Sequence, residues 1–256
     1  MKNSKVLAKL RAGGCANSFK INLCSGQATE MAAQFGFDCI WLDMEHIAQD
    51  YITTQAQNWA AQANGCDVMV RVPRGSYSDL VKPFEMGATG ILVPHVMSLE
   101  DAKKVVHYTR FHPIGRRPID GGNADGDYGV APFDEYLAHG NRERFIALQI
   151  EDPEPLDELE EIAALPGYDM LFFGPGDFSQ GIGAPGVWDN PLLTETRKRI
   201  AEVARKHGKF AATVGSYANA KELHEMGYQF INLGADVVGY AAYLKEVTAG
   251  WKNTGL

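Results

Sequence analysis

The stretch EMGATGILVP (residues 85–94) contains the pattern that decides the fold. An amphipathic segment ends at Gly87, and an apolar run of strand length begins a few residues later. Glycine just past a helix suits the left-handed C-cap conformation. A short continuous apolar run suits a strand that is buried on both faces, as in a parallel sheet. The stretch therefore predicts a helix, a tight turn and a parallel strand.

The same pattern recurs along the chain, at residues 33–43, 63–73, 165–174 and 226–234. Apolar runs at 17–23, 144–150 and 209–214 bring the set to eight strands. Regular alternation of strands with helix-sized segments produces right-handed crossovers and a parallel sheet. The chain is therefore predicted to be an α/β protein, a (β/α)₈ TIM barrel forming a single domain over residues 1–256. An open doubly wound sheet is the weaker alternative, because no G-x-G-x-x-G opens a helix after a strand.

One connection is much longer than the others. Residues 111–143 are rich in Gly, Pro and Asp, and long irregular connections in compact domains are usually functional. We expect this long loop to follow strand 4 and to lie at the carboxyl end of the barrel, where active sites are built.

The composition excludes several classes of partner. The formal net charge is −8, with no run of Lys or Arg, which argues against nucleic acid or an anionic membrane as the main partner. No apolar stretch approaches the length of a membrane span, and the first residues lack the apolar core of a signal peptide. Four cysteines are too few for a disulfide scaffold. We expect a cytoplasmic protein with reduced thiols.

Titratable residues follow two of the predicted strands, where barrel enzymes place their catalytic groups. The motif LDMEH supplies Asp43, Glu45 and His46; histidine is the usual general base near neutral pH, and a carboxylate can orient it. The motif VRVP places Arg71 in an apolar run, and its guanidinium favours bidentate binding of a carboxylate or phosphate. The alternatives are a solvated turn with a helix cap for the first motif and a structural salt bridge for the second.

Two carboxylates end the next pair of strands. Glu151 ends LQIE, and Asp177 lies in GPGDFSQGIG, 26 residues later (177 − 151 = 26). Adjacent strands would place them side by side, where two acidic groups need a cation between them or a shared proton. With water molecules as the remaining ligands, this pair suits Mg²⁺ or Mn²⁺ better than zinc.

Other polar residues near strand ends have simpler explanations. Asp152 followed by Pro153 is typical of a helix N-cap and first helical residue. Gly234 and Asp236 are typical of a turn and a helix cap. Three histidines receive no role: His95, His107 and His112.

Taken together, these groups support reversible carbon–carbon cleavage of an α-keto acid. A divalent metal would chelate the keto and carboxylate oxygens and act as a Lewis acid. Arg71 would help to stabilise the resulting enolate, and His46 would move the proton of the substrate hydroxyl. Lys20, in the first strand, could instead form a Schiff base and give a class I mechanism.

The motifs LDMEH, VRVP, GATGILVPHV, the IE of LQIEDPE, and GPGDFSQGIG resemble those of the HpcH/HpaI aldolase family, the class II pyruvate aldolases. The resemblance runs in order from about residue 5 to 240. It implies a (β/α)₈ barrel, often in hexamers with an exchanged C-terminal helix. It also implies cleavage of a 4-hydroxy-2-oxo acid into pyruvate and an aldehyde, with Mg²⁺, Mn²⁺ or Co²⁺ as the cofactor.

The resemblance assigns roles residue by residue. It implies that Glu151 and Asp177 bind the metal, that Arg71 stabilises the enolate and that His46 is the base. We also place Asp43, from the same LDMEH motif, and Glu85 among the candidate catalytic residues. The residues that the resemblance places against the keto acid are Arg71, Gln149, Gly176 and Asp177.

The chain departs from the family pattern at two positions. Glu85 stands where the family commonly has an Asp that pairs with the catalytic histidine, here His46. In GRRP, Arg117 matches the family motif but Pro118 replaces a Gly. We therefore expect residues 119–130 to shape the substrate pocket differently.

Several alternatives stay open at this stage. The same site could serve a CoA-ester lyase of the citrate lyase or malyl-CoA lyase type, an oxo-diacid decarboxylase, or a non-catalytic keto-acid binder. The resemblance implies a homo-oligomer, a trimer or a hexamer. Residues 241–251 are amphipathic, and Trp251 could pack on a neighbouring subunit or within its own.

Overall fold

Eight parallel strands, each hydrogen-bonded to the next in chain order, close into a barrel in the computed structural model, which describes residues 1–256. Every strand overlaps one of the predicted apolar runs, so the predicted (β/α)₈ TIM barrel is confirmed. The strands are β1 (Ala16–Ile21), β2 (Cys39–Asp43), β3 (Asp67–Arg71), β4 (Gly90–Val93), β5 (Phe145–Ile150), β6 (Met170–Phe173), β7 (Phe210–Val214) and β8 (Tyr228–Ala235).

Eleven α-helices accompany the strands, together with short 3-10 turns over Asp127–Gly129 and Glu154–Glu158. The helices are α1 (Lys5–Arg11), α2 (Gly26–Gln34), α3 (Tyr51–Ala63), α4 (Tyr77–Glu85), α5 (Leu99–Thr109), α6 (Phe133–Glu143), α7 (Leu159–Ala164), α8 (Pro175–Gly181), α9 (Pro191–Lys206), α10 (Ala220–Met226) and α11 (Asp236–Lys252).

The glycines of the recurring pattern act as predicted. All five have positive φ angles, between 67° and 115°, a conformation that other residues adopt only with strain. Each therefore allows a tight turn between a helix and the strand that follows. These glycines are Gly36, Gly65, Gly87, Gly167 and Gly227.

The alternation of side chains along the strands divides the core in two. In β2, Cys39 and Trp41 belong to the cluster inside the barrel, whereas Ile40 and Leu42 pack with the outer helices. Helix α1 adds buried apolar side chains to the inner cluster and closes the amino end of the barrel. Because side chains alternate along a strand, the next inward position of β2 is Asp43. The same alternation leaves polar side chains at the carboxyl end of the interior.

The long connection does not lie where we expected. Helix α5 follows β4 and returns the chain to the amino end of the barrel before residue 110. There the Ala124 N–H donates to the Glu85 carbonyl (3.2 Å) at the end of α4. Asp125 is ion-paired with Arg144, 2.5 Å away, directly before β5. The expectation that this connection lies at the carboxyl end of the barrel is therefore wrong, as is the expectation that residues 119–130 shape the substrate pocket of their own barrel. Phe133–Glu143 of the connection form the helix α6.

The four cysteines are free thiols. None of the helices combines the length and the apolarity needed to cross a bilayer.

Candidate active site

Asp43 and Arg71 form the central ion pair at the carboxyl end of the barrel. They are register partners on β2 and β3, and the Arg71 Nε and Nη2 donate to the two Asp43 oxygens at 3.0 and 2.6 Å. Lys20 Nζ lies 2.7 Å from the same carboxylate. Burial alone would raise the pKa of Asp43, but the hydrogen bonds and charges of Arg71 and Lys20 hold that pKa well below its ordinary value. Asp43 is fully buried, so it positions Arg71 and cannot itself contact the solvent.

The other two residues of LDMEH lie nearer the opening of the barrel. Glu45 Oε2 is 3.1 Å from Arg71 Nη1 and 3.5 Å from His46 Nε2. The His46 side chain is 56% exposed. His46 is therefore accessible to a molecule that enters the barrel mouth, and Glu45 links it to Arg71.

Glu151 is a buried carboxylate without a cationic partner of fixed charge. It is 1% exposed, and the only ion-pairing side chain near it is that of His95. One oxygen accepts the backbone N–H of His95 at 3.0 Å, and the other accepts the Gln149 amide. Burial raises the pKa of Glu151 to about 7, and the charge of Asp177 adds to this rise. Such a carboxylate gains stability from a cation placed beside it.

Asp177 completes an acidic pair with Glu151, because α8 begins directly after β6 and Asp177 lies in its first turn. One ligand atom from each of Glu151, Asp177 and His95 lies within 4.8 Å of the others. The structure thus brings together the two carboxylates predicted to hold a metal, and it adds an imidazole.

The residues at this cluster fit a divalent metal. The donor set has two carboxylates and one imidazole, which are ordinary ligands for such ions. Gln149 Oε1 is buried there without a hydrogen-bond partner. A Cβ on Gly174 would lie 2.5 Å from Glu151 Oε2 and 2.8 Å from Gln149 Nε2, so the absence of a side chain keeps this space open.

His95 is the functional candidate that sequence reasoning left without a role. It follows β4 directly after Pro94, and its φ of 46° is in the left-handed region, which a non-glycine residue rarely adopts. The signal was available, since GILVPH ends a strand just as LDMEH does. Asp152, predicted to be a helix cap, precedes the cap residue of the next 3-10 turn, which is Pro153; its Oδ2 lies 2.8 Å from His95 Nδ1.

Two other predicted residues lie apart from this cluster. Glu85 ends α4 at the amino end of the barrel, and the charged groups that act on it are Arg117, Asp120, Asp125 and Lys82. The structure therefore does not bring Glu85 to His46 within one chain. Gly176, in the first turn of α8, has open space where a Cβ would be.

The fold and this cluster together define a class of protein: a barrel enzyme whose carboxyl end presents an anchored arginine and a set of metal-ligating side chains. Within that class the chain belongs to the HpcH/HpaI aldolase/citrate lyase family, whose sequence model matches residues 21–242. It is therefore an enzyme of a lyase family.

The chain is similar over nearly its full length to proteins with several different names. It is 29% identical to the 5-keto-4-deoxy-D-glucarate aldolase of Klebsiella pneumoniae, over 99% of this chain and 100% of that protein. The structure of an HpcH/HpaI aldolase from Desulfitobacterium hafniense is 25% identical, with a TM-score of 0.90 over 96% of both chains. The structure of the citrate synthase SbnG is 27% identical, with a TM-score of 0.89 over 98% of both chains.

Proposed function

We propose that this chain is a class II aldolase that cleaves a 4-hydroxy-2-oxo acid into pyruvate and an aldehyde. Its cofactor would be a divalent metal, Mg²⁺, Mn²⁺ or Co²⁺, held by Glu151 and Asp177. The observation that carries the proposal is the placement of an anchored Arg71 within electrostatic range of the buried Glu151, which is itself beside Asp177. The Arg71 guanidinium can attract an anionic keto acid. The carboxylates of Glu151 and Asp177, at the same end of the barrel, can hold the cation through which that acid would bind.

Arg71 has the principal electrostatic role. Cleavage of the C3–C4 bond leaves its electron pair on the pyruvyl fragment, as an enolate with negative charge on the former keto oxygen. The bound metal would act as a Lewis acid toward that oxygen. Arg71 would stabilise the same charge, and because Asp43 already fixes its guanidinium, little reorganisation is needed as the charge develops.

His46 would accept the proton of the substrate hydroxyl, so that the C4–O bond becomes the carbonyl of the leaving aldehyde. The side chain is exposed at the mouth, where it can reach a substrate directly or through a water molecule. Protonation of the enolate carbon then gives pyruvate. Gln149 would contact the keto acid, since its side chain lies beside Glu151 at the site, and so would the backbone at Gly176, where no side chain blocks the approach.

The first substrate to test is 5-keto-4-deoxy-D-glucarate, because relatives that align over the whole chain bear that name. Shorter and longer 4-hydroxy-2-oxo acids belong in the same panel. The four cysteines are free thiols, as is usual for proteins of the reducing cytoplasm. This supports the proposal that the enzyme works there.

A second candidate is formation or cleavage of a carbon–carbon bond with a CoA ester. The similarity to a protein described as a citrate synthase favours including it. Citrate formation from oxaloacetate and acetyl-CoA is the matching assay, and loss of oxaloacetate alone reports decarboxylation.

We also propose that the enzyme is a homo-oligomer, a trimer or a hexamer, in which α11 packs on a neighbouring subunit. No residue of α11 is buried, although it carries large apolar side chains: Val238, Tyr240, Tyr243, Leu244, Val247 and Trp251. An apolar cleft of about 500 Å³ lies at the base of this helix, beside Phe19, Met31 and Phe35. Contiguous exposed apolar surface of this kind is typical of a protein–protein interface.

The test is pyruvate release, coupled to lactate dehydrogenase, from the substrate panel. It is run on metal-stripped enzyme and after Mg²⁺, Mn²⁺ or Co²⁺ is restored. We expect metal-dependent release that is lost in Glu151→Gln and in His46→Ala but kept in Glu154→Gln, an exposed control close to Glu151 in the chain. Release that needs no metal would contradict the proposal.

A further inference from the structure

We propose that Glu45 is the positioning residue of His46, and that it leaves Nδ1 of His46 as the nitrogen that accepts the proton of the substrate hydroxyl. This inference rests on the proposed aldolase function, in which His46 is the base. Two features of the site are thereby assigned: the carboxylate that orients the histidine and the ring nitrogen that faces the substrate.

Three carboxylates are candidates for the partner of His46, and the structure favours one of them. Asp43 is fully buried, and its oxygens already accept hydrogen bonds from the Arg71 guanidinium and from two backbone N–H groups. Glu85 ends α4 at the opposite end of the same barrel. Glu45 Oε2 lies 3.5 Å from His46 Nε2, and Glu45 is the one ion-pairing neighbour of that imidazole. Glu45 is therefore the partner of His46 within the chain.

Glu45 is itself held in place, as a positioning residue must be. Its Oε2 lies 3.1 Å from Arg71 Nη1, and Arg71 is anchored by two hydrogen bonds to Asp43. Its other oxygen, Oε1, lies 3.7 Å from His95 Nε2. Glu45 Oε2 is also buried and accepts no hydrogen bond. A small rotation of the His46 ring would bring a donor to that oxygen without displacing another, which removes the cost of an unsatisfied buried acceptor.

The position of the carboxylate decides which ring nitrogen of His46 faces the substrate. A neutral imidazole carries one N–H and one lone pair, and the hydrogen bond made by one nitrogen sets the role of the other. An ionised carboxylate only accepts hydrogen bonds, so the nitrogen that faces Glu45 Oε2 must carry the hydrogen. That nitrogen is Nε2. Nδ1 therefore keeps its lone pair and is free to accept the proton of the substrate hydroxyl.

The orientation of His46 matters because its side chain is otherwise unrestrained. The side chain is 56% exposed, so without a partner the ring would sample several rotamers and both tautomers. A general base must lie within hydrogen-bond reach of the proton that it removes, and a misplacement of about 1 Å can cost about 100-fold in rate. Loss of the Glu45 carboxylate should therefore lower the rate of the chemical step far more than the affinity for substrate.

The test separates the chemical step from binding. Glu45→Gln keeps the shape of the side chain but offers both a donor and an acceptor, so it no longer selects one tautomer, whereas Glu45→Asp keeps a carboxylate. Steady-state kinetics give kcat and KM for pyruvate release. Calorimetry on the metal-loaded enzyme gives the affinity for oxalate, a planar analogue of the pyruvate enolate. The control is Glu30→Gln, which changes an exposed residue of α2.

The tautomer of His46 is measured separately, without substrate. Nitrogen-15 NMR of histidine-labelled enzyme distinguishes a protonated ring nitrogen from one with a lone pair, and the spectrum of His46→Ala assigns the signals. We expect the neutral His46 ring of the wild type and of Glu30→Gln to carry its proton on Nε2. Glu45→Gln should show a mixture of the two tautomers.

We expect Glu45→Gln to lower kcat by about 10-fold to 100-fold, with KM and oxalate affinity within about threefold of the wild type. Glu45→Asp should recover part of this loss, and Glu30→Gln should match the wild type. An unchanged kcat in Glu45→Gln would overturn the role of Glu45. So would a loss of oxalate affinity as large as the loss of kcat/KM, since Glu45 would then act through Arg71.

Two further results would also overturn the inference. One is a wild-type His46 ring with its proton on Nδ1. The other is a fall of kcat in Glu85→Gln but not in Glu45→Gln, which would transfer the role to Glu85 acting from a neighbouring subunit. A wild type that releases no pyruvate would instead overturn the aldolase proposal, and the NMR spectra would still decide whether Glu45 orients His46.

Discussion

The Asp43 carboxylate holds the Arg71 guanidinium through two hydrogen bonds, from Nε and Nη2, at 3.0 and 2.6 Å. The two residues end adjacent strands in direct register, so the barrel itself sets the geometry. This bidentate pairing fixes the orientation of the guanidinium plane before any substrate arrives. Glu45 Oε2 lies 3.1 Å from the remaining nitrogen, Nη1. All three guanidinium nitrogens of Arg71 are therefore held by carboxylates before a substrate binds.

Arg71→Lys should abolish most of the activity while the fold persists. A lysine keeps the charge but offers no planar fork, so it cannot bind both Asp43 oxygens and also face the substrate. We expect kcat/KM to fall by about 100-fold or more, as when one donor to a developing oxyanion is lost. Steady-state kinetics and thermal unfolding measure the two effects, and Arg205→Lys, which changes an exposed arginine of α9, is the control. Activity within about threefold of the wild type would remove Arg71 from its catalytic role.

Lys20 should not form an imine. Its Nζ is 2.7 Å from Asp43 Oδ2 and lies over the Trp41 ring, 5.1 Å from the centroid, so these two contacts hold the nitrogen away from a substrate carbonyl. Treatment with borohydride in the presence of pyruvate should therefore leave no covalent adduct by mass spectrometry. Lys20→Met should retain metal-dependent pyruvate release. An adduct that forms in the wild type and is absent from Lys20→Met would instead establish a class I mechanism.

Two glycines near the acidic pair form a matched test of the site geometry. In Gly174→Ala the new Cβ would lie 2.5 Å from Glu151 Oε2 and 2.7 Å from Glu151 Cβ, so Glu151 must move. In Gly176→Ala nothing lies within 4 Å of the new methyl group. We expect Gly174→Ala to lose at least about tenfold in metal affinity and activity, in line with other disturbances close to metal ligands.

Calorimetric metal titration and the pyruvate assay, performed on both variants beside the wild type, measure this difference. Gly176→Ala should bind metal and turn over as the wild type does, because the added methyl group meets no neighbouring atom. If the two variants have equal metal affinity and equal turnover, the lack of a side chain at Gly174 is not what keeps Glu151 in position.

The fold could be predicted because its signal is local and repeated. Each apolar run is long enough for a strand buried on both faces, and five of these runs follow a helix that ends in glycine, so the order of elements follows from the chain alone. The position of residues 110–132 could not be inferred in the same way. The LEDAKKVVHYT segment (Leu99–Thr109) forms α5 and carries the chain to the amino end of the barrel, whereas the prediction placed residues 111–143 directly after strand 4 with no helix between them.

The site was predictable where one strand end carries the signal, as at Asp43, Arg71, Glu151 and Asp177. It was less predictable where a role depends on contacts between different loops. Asp152 and His95 are 57 positions apart in the chain, and only barrel closure brings them together. An Asp–Pro pair is more often a helix cap than a partner of histidine, so the local rule favoured the wrong role.

His139 should make the folded protein sensitive to mild acid. Burial lowers the pKa of His139 to about 4, below its ordinary value of 6.5, and the charge of Arg144 adds to this effect. Its Nδ1 is buried without a partner. Between pH 6.5 and 4 the unfolded chain therefore binds a proton at His139 that the folded chain does not. The stability that the folded protein has with a neutral His139 is fully present above pH 6.5 and is lost as the pH falls toward 4.

Urea unfolding at pH 7 and at pH 4.5 measures this dependence. We expect the wild type to lose about 2 kcal/mol more of its free energy of unfolding over this interval than His139→Gln, which cannot be protonated. His112→Gln, which changes an exposed histidine, should behave as the wild type. The same loss in His139→Gln and the wild type would show that other groups determine the acid sensitivity.

The exposed apolar face of α11 should hold the oligomer together. Leu244, Val247 and Trp251 lie on a helix without a buried residue, and burying such side chains contributes about 1.5 to 3 kcal/mol each. The double variant Leu244→Asp/Val247→Asp should therefore dissociate the oligomer while each barrel stays folded, because these side chains do not enter the core of their own chain. Sedimentation velocity gives the mass, circular dichroism reports the fold, and Lys245→Asp on the same helix is the control for added negative charge. A wild-type protein that sediments as a monomer at micromolar concentration, or a double variant of unchanged mass, would show that α11 does not join the subunits.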